Sequence, residues 1–111
     1  GADAITWQGD VYNKVGSGMI AETAQDLGVP VYVCTDSWKL DPKTRDGKEI
    51  TVEERGPDEV WEDPPEDVTV RNPAFEIVIS DHIDGLVTEL GTVPPDRLSN
   101  AFSDTYPEIL E

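Results

Sequence analysis

Short apolar runs separated by polar turns predict alternating strands and helices along the chain. Residues 4–7 and 85–88 are apolar runs of strand length, 77–79 is a shorter one, and 29–34 is unbroken. Unbroken apolar runs are typical of parallel strands that are buried on both faces of a sheet. The loop 35–39 would then follow the carboxyl end of the 29–34 strand.

After residues 15–18, apolar residues recur at helical spacing. The pattern ends before Gly28 and Pro30, which are typical of helix termination. The acidic and amide side chains of this stretch fall on one side of the predicted helix. The residues predicted to face a core are Met19, Ile20, Ala24 and Leu27.

A second helix is predicted to begin at Pro94 and Pro95, with Asp96 in its first turn. Leu98 and Phe102 share one face of this helix and are expected to be buried. We expect the tail 103–111 to pack only weakly.

Residues 41–72 differ from the rest of the chain because they are dense in acidic side chains. A long loop inside a compact domain usually has a function, so we interpret this segment as an excursion over the surface. Short edge strands are predicted at 50–52 and 68–70. The excursion belongs to the same domain as the rest of the chain, so we predict one domain, 1–111.

The order of strand, helix, strand, excursion, turn, strand and helix predicts an α/β fold. It is typical of a three-layer, Rossmann-like domain in which helices cover both faces of a parallel sheet. About three core strands are predicted, whereas a doubly wound sheet has about five or six. We therefore predict the second, C-terminal half of a doubly wound sheet.

Charge narrows the possible partners. The 111 residues include 24 Asp and Glu against 8 Lys and Arg, a formal net charge of −16. Such a surface repels nucleic-acid backbones and anionic lipids. Carboxylates stay hydrated in concentrated salt, which screens their repulsion, so we predict a halophilic source. We expect a cytoplasmic protein without direct contact to nucleic acid or membrane, because no apolar run reaches the ~18 residues of a membrane span.

Cys34 is the one cysteine and His82 the one histidine. A single cysteine excludes an internal disulfide and a cysteine-based zinc site, so we predict no metal and no cofactor. We expect Cys34 to be buried as a small hydrophobic residue at the end of its strand. We assign no role to His82.

Candidate site residues are predicted where ligands bind in open parallel sheets, at the carboxyl ends of the strands. Lys14 and the backbone amides near Gly16 precede a helix, a combination that favours an anion; the alternative is a solvated lysine in a turn. Asp3 is a candidate acid or base if it is buried, and otherwise caps a turn. Lys39 either binds a second anion or lies on Trp38 at the surface.

Several ordered motifs resemble one family. Residues 1–5, 9–11 and 13–16 resemble the signature "GAD-x-I … NG-x-V-x-NK-I-G-T" of the superfamily that joins the alpha, beta and delta subunits of translation initiation factor 2B with aldose-1-phosphate isomerases. Those isomerases act on ribose 1,5-bisphosphate or methylthioribose 1-phosphate. Further matches follow in chain order at 29–33, 38–42, 53–55, 72–76, 83–84 and 88–91, and at Pro94 and Pro95.

The resemblance implies a role for each candidate. It makes Asp3 the acid/base residue, Asn13 and Lys14 the ligands of a substrate phosphate, and Lys39 a substrate ligand as in the ribose-1,5-bisphosphate branch. It implies a phosphorylated sugar or nucleotide-derived ligand, and a homo-oligomer or an assembly with related subunits. The alternative is a regulatory or assembly subunit without turnover.

The resemblance also implies what the chain lacks. In the isomerases the catalytic cysteine belongs to a segment upstream of the matched residues, and Cys34 does not match its position. The amino-terminal helical domain of the family is absent too. The 111-residue chain by itself is therefore expected to be inactive.

Overall fold

The computed structural model describes residues 1–110. It has an α/β fold with two three-stranded sheets. The strands are β1 (Ala4–Ile5), β2 (Val11–Lys14), β3 (Tyr32–Cys34), β4 (Phe75–Val78), β5 (Gly85–Thr88) and β6 (Gly91–Val93). The α-helices are α1 (Ser17–Asp26) and α2 (Leu98–Thr105), and short 3₁₀ turns connect several elements.

The first sheet has the order β1-β2-β4 and is antiparallel throughout. Ile5 lies opposite Val11, which in turn lies opposite Val78, and all three are buried. The turn between β1 and β2 depends on Gly9, whose φ of 98° is strained for other residues. A side chain there would also meet the Pro95 carbonyl oxygen, 2.4 Å from the position of a Cβ atom.

The second sheet has the order β3-β5-β6, with β3 parallel to β5 and β6 antiparallel to β5. The segment after β3 returns to the first sheet, where Leu40 forms a parallel bridge with Ile5. The Asp41 N–H donates to the Ile5 carbonyl at 2.9 Å. This contact places the chain around Leu40 beside β1, on the side away from β2.

The prediction of a parallel sheet is wrong for most strand pairs. Within residues 1–110 only β3 and β5 form a parallel ladder. β1 and β2 are joined by a short turn, as are β5 and β6, and a short turn can only connect antiparallel strands. Asn13 and Lys14, interpreted as part of a loop, end β2, and neither β2 nor β6 was predicted as a strand.

The helix α1 exists as predicted, but its predicted buried face is wrong. Met19, Ile20 and Leu27 are 69%, 68% and 74% exposed, whereas Ala21 is buried. The helix packs against β4 and the 3₁₀ turn Ser80–His82, and small residues allow that close approach. Ala24 is half-buried. The large apolar side chains of α1 therefore project away from the described core.

Several smaller expectations are also wrong. Residues 50–52 and 68–70 form no strands, and within 41–72 the only bridge is from Glu54 to Pro73. Cys34 is exposed because β3 lies at the end of its sheet and alternates exposed, buried, exposed. The tail, by contrast, agrees with the expectation of weak packing: residues 104, 105 and 107–109 are exposed, while Tyr106 and Leu110 pack partly buried against the core.

The second helix matches its prediction. A 3₁₀ turn at Pro95–Arg97 leads into α2, where Leu98 and Phe102 are buried. The Phe102 ring lies 5.4 Å from Trp38 and 5.1 Å from Tyr106, centroid to centroid. The buried apolar core comprises Ile5, Val11, Ala21, Val33, Leu40, Val78, Ile83, Leu86, Leu98 and Phe102. Neither α1 nor α2 is long and apolar enough to cross a membrane, and the described part of the chain contains no other α-helix.

Candidate functional site

The topology brings the predicted site residues to one edge of the first sheet, meaning the line formed by one end of its strands. Asp3 immediately precedes β1, and Asn13 and Lys14 end the antiparallel β2, so all three lie at this end of the strands. The parallel bridge between Ile5 and Leu40 places Lys39 at the same end, on the far side of β1. With strands ~4.8 Å apart, the backbones that carry Lys14 and Lys39 lie ~10 Å apart, on either side of β1.

The loop after β2 is closed by hydrogen bonds of its own side chains. Asn13 Nδ2 donates to Ser17 Oγ at 2.9 Å, and the Ser17 hydroxyl donates to the Lys14 carbonyl at 2.7 Å. Gly16 stands at the N-cap of α1 with φ 109°, which favours glycine. The Asn13 side chain is therefore held against the start of the helix, in the loop where the phosphate ligands were predicted.

Glu76 occupies the backbone amides at the start of α1. Its Oε2 atom accepts from the Gly16 N–H at 3.1 Å and from the Gly18 N–H at 2.6 Å. An anion is present at the predicted position, but it is a carboxylate of the chain itself. The Gly16 amide can bind a phosphate only if Glu76 moves, so the role of Gly16 stays a prediction. Sequence reasoning placed Glu76 in a family motif and missed this contact.

Lys14 is exposed, and its Nζ atom lies 3.4 Å from the Ala74 carbonyl. The ion pairs of residues 1–110 are Arg55–Glu59 and Arg71–Glu54, so neither Lys14 nor Lys39 is engaged in one. In a chain with 24 acidic side chains, these two ammonium groups are available for an anion from solution.

Lys39 ends a 3₁₀ turn, Ser37–Lys39, that two carboxylates anchor. Asp36 Oδ1 accepts from the Trp38 N–H at 2.9 Å. Both Glu89 oxygens accept from the Ser37 N–H, at 3.0 and 2.9 Å, and Glu89 also accepts from the Ser37 hydroxyl. Desolvation raises the pKa of Glu89, but the bonds from Ser37 and from its own backbone N–H together outweigh it, so this pKa lies below its usual value.

Asp3 is exposed, with its N–H donating to the Tyr12 carbonyl at 2.8 Å. That bond ties Asp3 to the strand that carries Asn13 and Lys14. The burial that an acid/base carboxyl needs is not supplied by residues 1–110, so the catalytic role of Asp3 stays a prediction as well.

Two concave surfaces flank the start of α1. A cavity of about 150 Å³ lies between α1, β2 and β3, and Asn13 and Ser17 are among its lining residues. A more open groove of about 540 Å³ on the other side is lined by Glu22 and Glu76 and suits an anion poorly. Residues 1–110 contain no group of three or more His, Cys, Asp or Glu placed to hold a metal ion.

A family model described as the initiation factor 2 subunit family matches residues 1–95. The chain belongs to this family. Ribose 1,5-bisphosphate isomerase of Methanocaldococcus jannaschii is 42% identical over 97 residues, which cover 86% of this chain and 32% of that protein. Methylthioribose-1-phosphate isomerase of Thermoanaerobacter sp. is 38% identical over 105 residues, 90% of this chain and 30% of that protein.

Solved structures show the same family fold. The crystal structure of 5-methylthioribose 1-phosphate isomerase from Pyrococcus horikoshii matches with a TM-score of 0.75 and 30% identity, covering 96% of this chain and 31% of that one. The delta subunit of the translation initiation factor eIF-2B from A. fulgidus matches with a TM-score of 0.73 and 28% identity, covering 98% and 32%. The chain spans about a third of the length of the curated relatives it matches.

Proposed function

We propose that this chain is the sugar-phosphate-binding, C-terminal Rossmann-like part of an aldose-phosphate isomerase of the ribose-1,5-bisphosphate type. The observation that carries the proposal is the convergence of Asp3, Asn13, Lys14 and Lys39 on one sheet edge. The 42% identity to two archaeal ribose 1,5-bisphosphate isomerases supports the same substrate class.

Spacing supports a ligand with two anionic ends. Lys14 and Asn13 lie on the strand on one side of β1 and Lys39 on the segment on the other side, and these two backbones are ~10 Å apart. Lys14 would hold one phosphate and Lys39 the second. Both side chains are long enough to reach inward over β1, and Asp3 lies between the segments that carry them.

Asp3 has the position for proton transfer in this proposal. An aldose–ketose isomerisation moves a proton between neighbouring carbons of the sugar, and a carboxyl group beside the ligand can take up and return it. The thiol implied by the family resemblance would come from outside these residues, since Cys34 lies on β3 in the other sheet.

The second candidate is a regulatory subunit that retains the pocket without turnover. Two observations favour it. Glu76 fills the amides where a phosphate was predicted, and Asp3 is exposed. A family delta subunit also shares the fold, with a TM-score of 0.73.

Calorimetry with ribose 1,5-bisphosphate tests the binding part of the proposal. Each charge-assisted contact contributes roughly 1.5–3 kcal/mol. Lys14→Ala should therefore weaken binding by about one to two powers of ten. Lys48→Ala removes an equally exposed lysine outside the site and should leave the affinity unchanged. Equal affinities for the unmodified chain and Lys14→Ala would contradict the phosphate site.

Turnover separates the two candidates. In the complete protein, Asp3→Asn should abolish isomerisation while leaving sugar-phosphate binding nearly intact, because the amide cannot exchange the proton. Substrate conversion by the Asp3→Asn protein would exclude the acid/base role. Binding without conversion in the unmodified complete protein would favour the regulatory subunit.

A further inference from the structure

Two glutamates outside the predicted site accept hydrogen bonds from the backbone of the two segments that carry Lys14 and Lys39. Glu76 is the second residue of β4, where the register places it opposite Asn13. Glu89 directly follows β5, which is parallel to the strand leading into the Lys39 turn. Each carboxylate reaches across to backbone N–H groups of the segment beside it.

Glu76 is fitted closely to the start of α1. Its Oε2 atom accepts from two N–H groups, and a Cβ atom on Gly18 would lie 2.8 Å from that same oxygen. A glycine at position 18 is therefore required for the carboxylate to approach. The bonds fix residues 16–18 relative to β4, and through the Ser17 hydroxyl they fix the Lys14 carbonyl.

Glu89 holds the other segment in the same manner. Ser37 is fully buried, and both its N–H and its hydroxyl donate to the Glu89 carboxylate. Lys39 follows two residues later, at the end of the same 3₁₀ turn. The lowered pKa of Glu89 agrees with a carboxylate that stays charged in this role.

Neither glutamate pairs with a lysine, although Glu76 lies opposite Asn13, the neighbour of Lys14, and Glu89 bonds to the turn that ends at Lys39. A direct ion pair would neutralise the charge that a phosphate needs, whereas bonds to N–H groups leave the ammonium groups available. The ion pairs of the described chain involve arginines instead. A carboxylate in contact with a phosphate would repel it. The bonds to N–H groups explain why these two carboxylates can lie near an anion site.

We propose that Glu76 and Glu89 are positioning residues, each fixing the backbone of the segment that carries one phosphate-binding lysine, Glu76 for Lys14 and Glu89 for Lys39. The assignment rests on the proposed function. The glutamates act through the Gly16, Gly18 and Ser37 N–H groups and do not touch the ligand.

A double-mutant cycle tests the pairing. Glu89→Ala should weaken ribose 1,5-bisphosphate binding about tenfold in the unmodified chain, and should have almost no further effect in Lys39→Ala. Glu76→Ala should show the same dependence on Lys14. Glu89→Gln keeps a carbonyl acceptor for Ser37 and should recover most of the affinity. Glu62→Ala removes an exposed carboxylate that bonds to no other described residue and should change nothing.

Amide hydrogen exchange tests the positioning without any ligand. Glu89→Ala should speed exchange at Ser37 at least tenfold and leave Gly18 unchanged, and Glu76→Ala should do the reverse. If the unmodified chain fails to bind the sugar bisphosphate, the proposed function fails while the exchange rates still decide the positioning. Unchanged exchange at Ser37 and Gly18, or equal losses of affinity with and without each lysine, would overturn the assignment.

Discussion

Arg71 and Glu54 form a two-bonded ion pair within the excursion 41–72. The Arg71 guanidinium donates to both Glu54 oxygens, at 2.9 and 3.1 Å, and the Asn72 N–H donates to one of them at 2.9 Å. The bond from Arg71 is the main cause that lowers the pKa of Glu54 from 4.5 to about 2. The pair joins a residue inside the excursion to its carboxyl-terminal end, beside the Glu54–Pro73 bridge.

This pKa has a consequence for stability. The folded pKa of Glu54 is below its unfolded value, so the pair stabilises the fold fully above about pH 4.5 and loses its effect as pH falls through about 2. We expect Glu54→Gln to lower the urea midpoint slightly at pH 6 and to match the unmodified chain at pH 2. The effect is small because the pair is exposed to solvent.

An NMR titration measures the same group directly. The Glu54 side-chain carbon should titrate near pH 2 in the unmodified chain and at a higher pH in Arg71→Ala, which lacks the donor. A midpoint that Arg71→Ala leaves in place would contradict the assigned cause.

At the scale of elements, the turn between β1 and β2 packs closely against the segment that leads into α2. A Cβ atom on Gly9 would lie 2.4 Å from the Pro95 carbonyl oxygen, at the start of the turn that leads into α2. Gly47 has a similar positive φ of 84° but open space around it. Substitutions at the two glycines therefore distinguish the cost of backbone strain from the cost of steric overlap.

We expect Gly47→Ala to cost about 1–2 kcal/mol of unfolding free energy, the strain of a left-handed conformation. Gly9→Ala carries the same strain and should cost about 1–3 kcal/mol more, because the Pro95 backbone cannot move aside cheaply. Urea unfolding of both variants measures the difference. Equal losses at the two positions would show that the turn does not press against Pro95.

For the whole molecule, the feature with the largest expected effect on stability is the net negative charge. A net charge of −16 on 111 residues makes self-repulsion large at low ionic strength, and salt shortens its range from about 10 Å at 0.1 M to about 3 Å at 1 M. We expect the thermal midpoint to rise with KCl up to molar concentrations. A variant with Glu62, Asp63, Glu66 and Asp67 changed to their amides should show a shallower rise. A flat or falling midpoint would contradict a salt-adapted surface.

The uncovered apolar surface of α1 predicts association. Met19, Ile20 and Leu27 are mostly exposed, and β3 has its outer edge open among residues 1–110. Such surfaces pair with a partner or aggregate. Light scattering in high salt should show at least a dimer, and Leu27→Ser should weaken it. Val60→Ser, on the excursion, changes a side chain of similar exposure and should not. A monomer in high salt would contradict this expectation.

Local patterns were enough for some elements. β5 and α2 were predicted because an apolar run with flanking glycine, and Pro94-Pro95 before Leu98 and Phe102, act over a few neighbouring residues. The family and the candidates Asp3, Asn13, Lys14 and Lys39 also followed from motifs. β2 was missed because two of its four residues, Asn13 and Lys14, are polar and lie at the end of the strand.

The sequence by itself determined which segments are apolar, where α1 begins and ends, that a helix follows Pro94 and Pro95, the family, and the acidity of the surface. Tertiary structure decided how strands pair, which face of α1 is buried, and which groups meet at the site. Pairing depends on the bridge between Ile5 and Leu40 and on the turns between strands, which local periodicity does not encode. Glu76 and Glu89 reach the site from 58 and 52 residues away, so only the folded chain reveals what they hold.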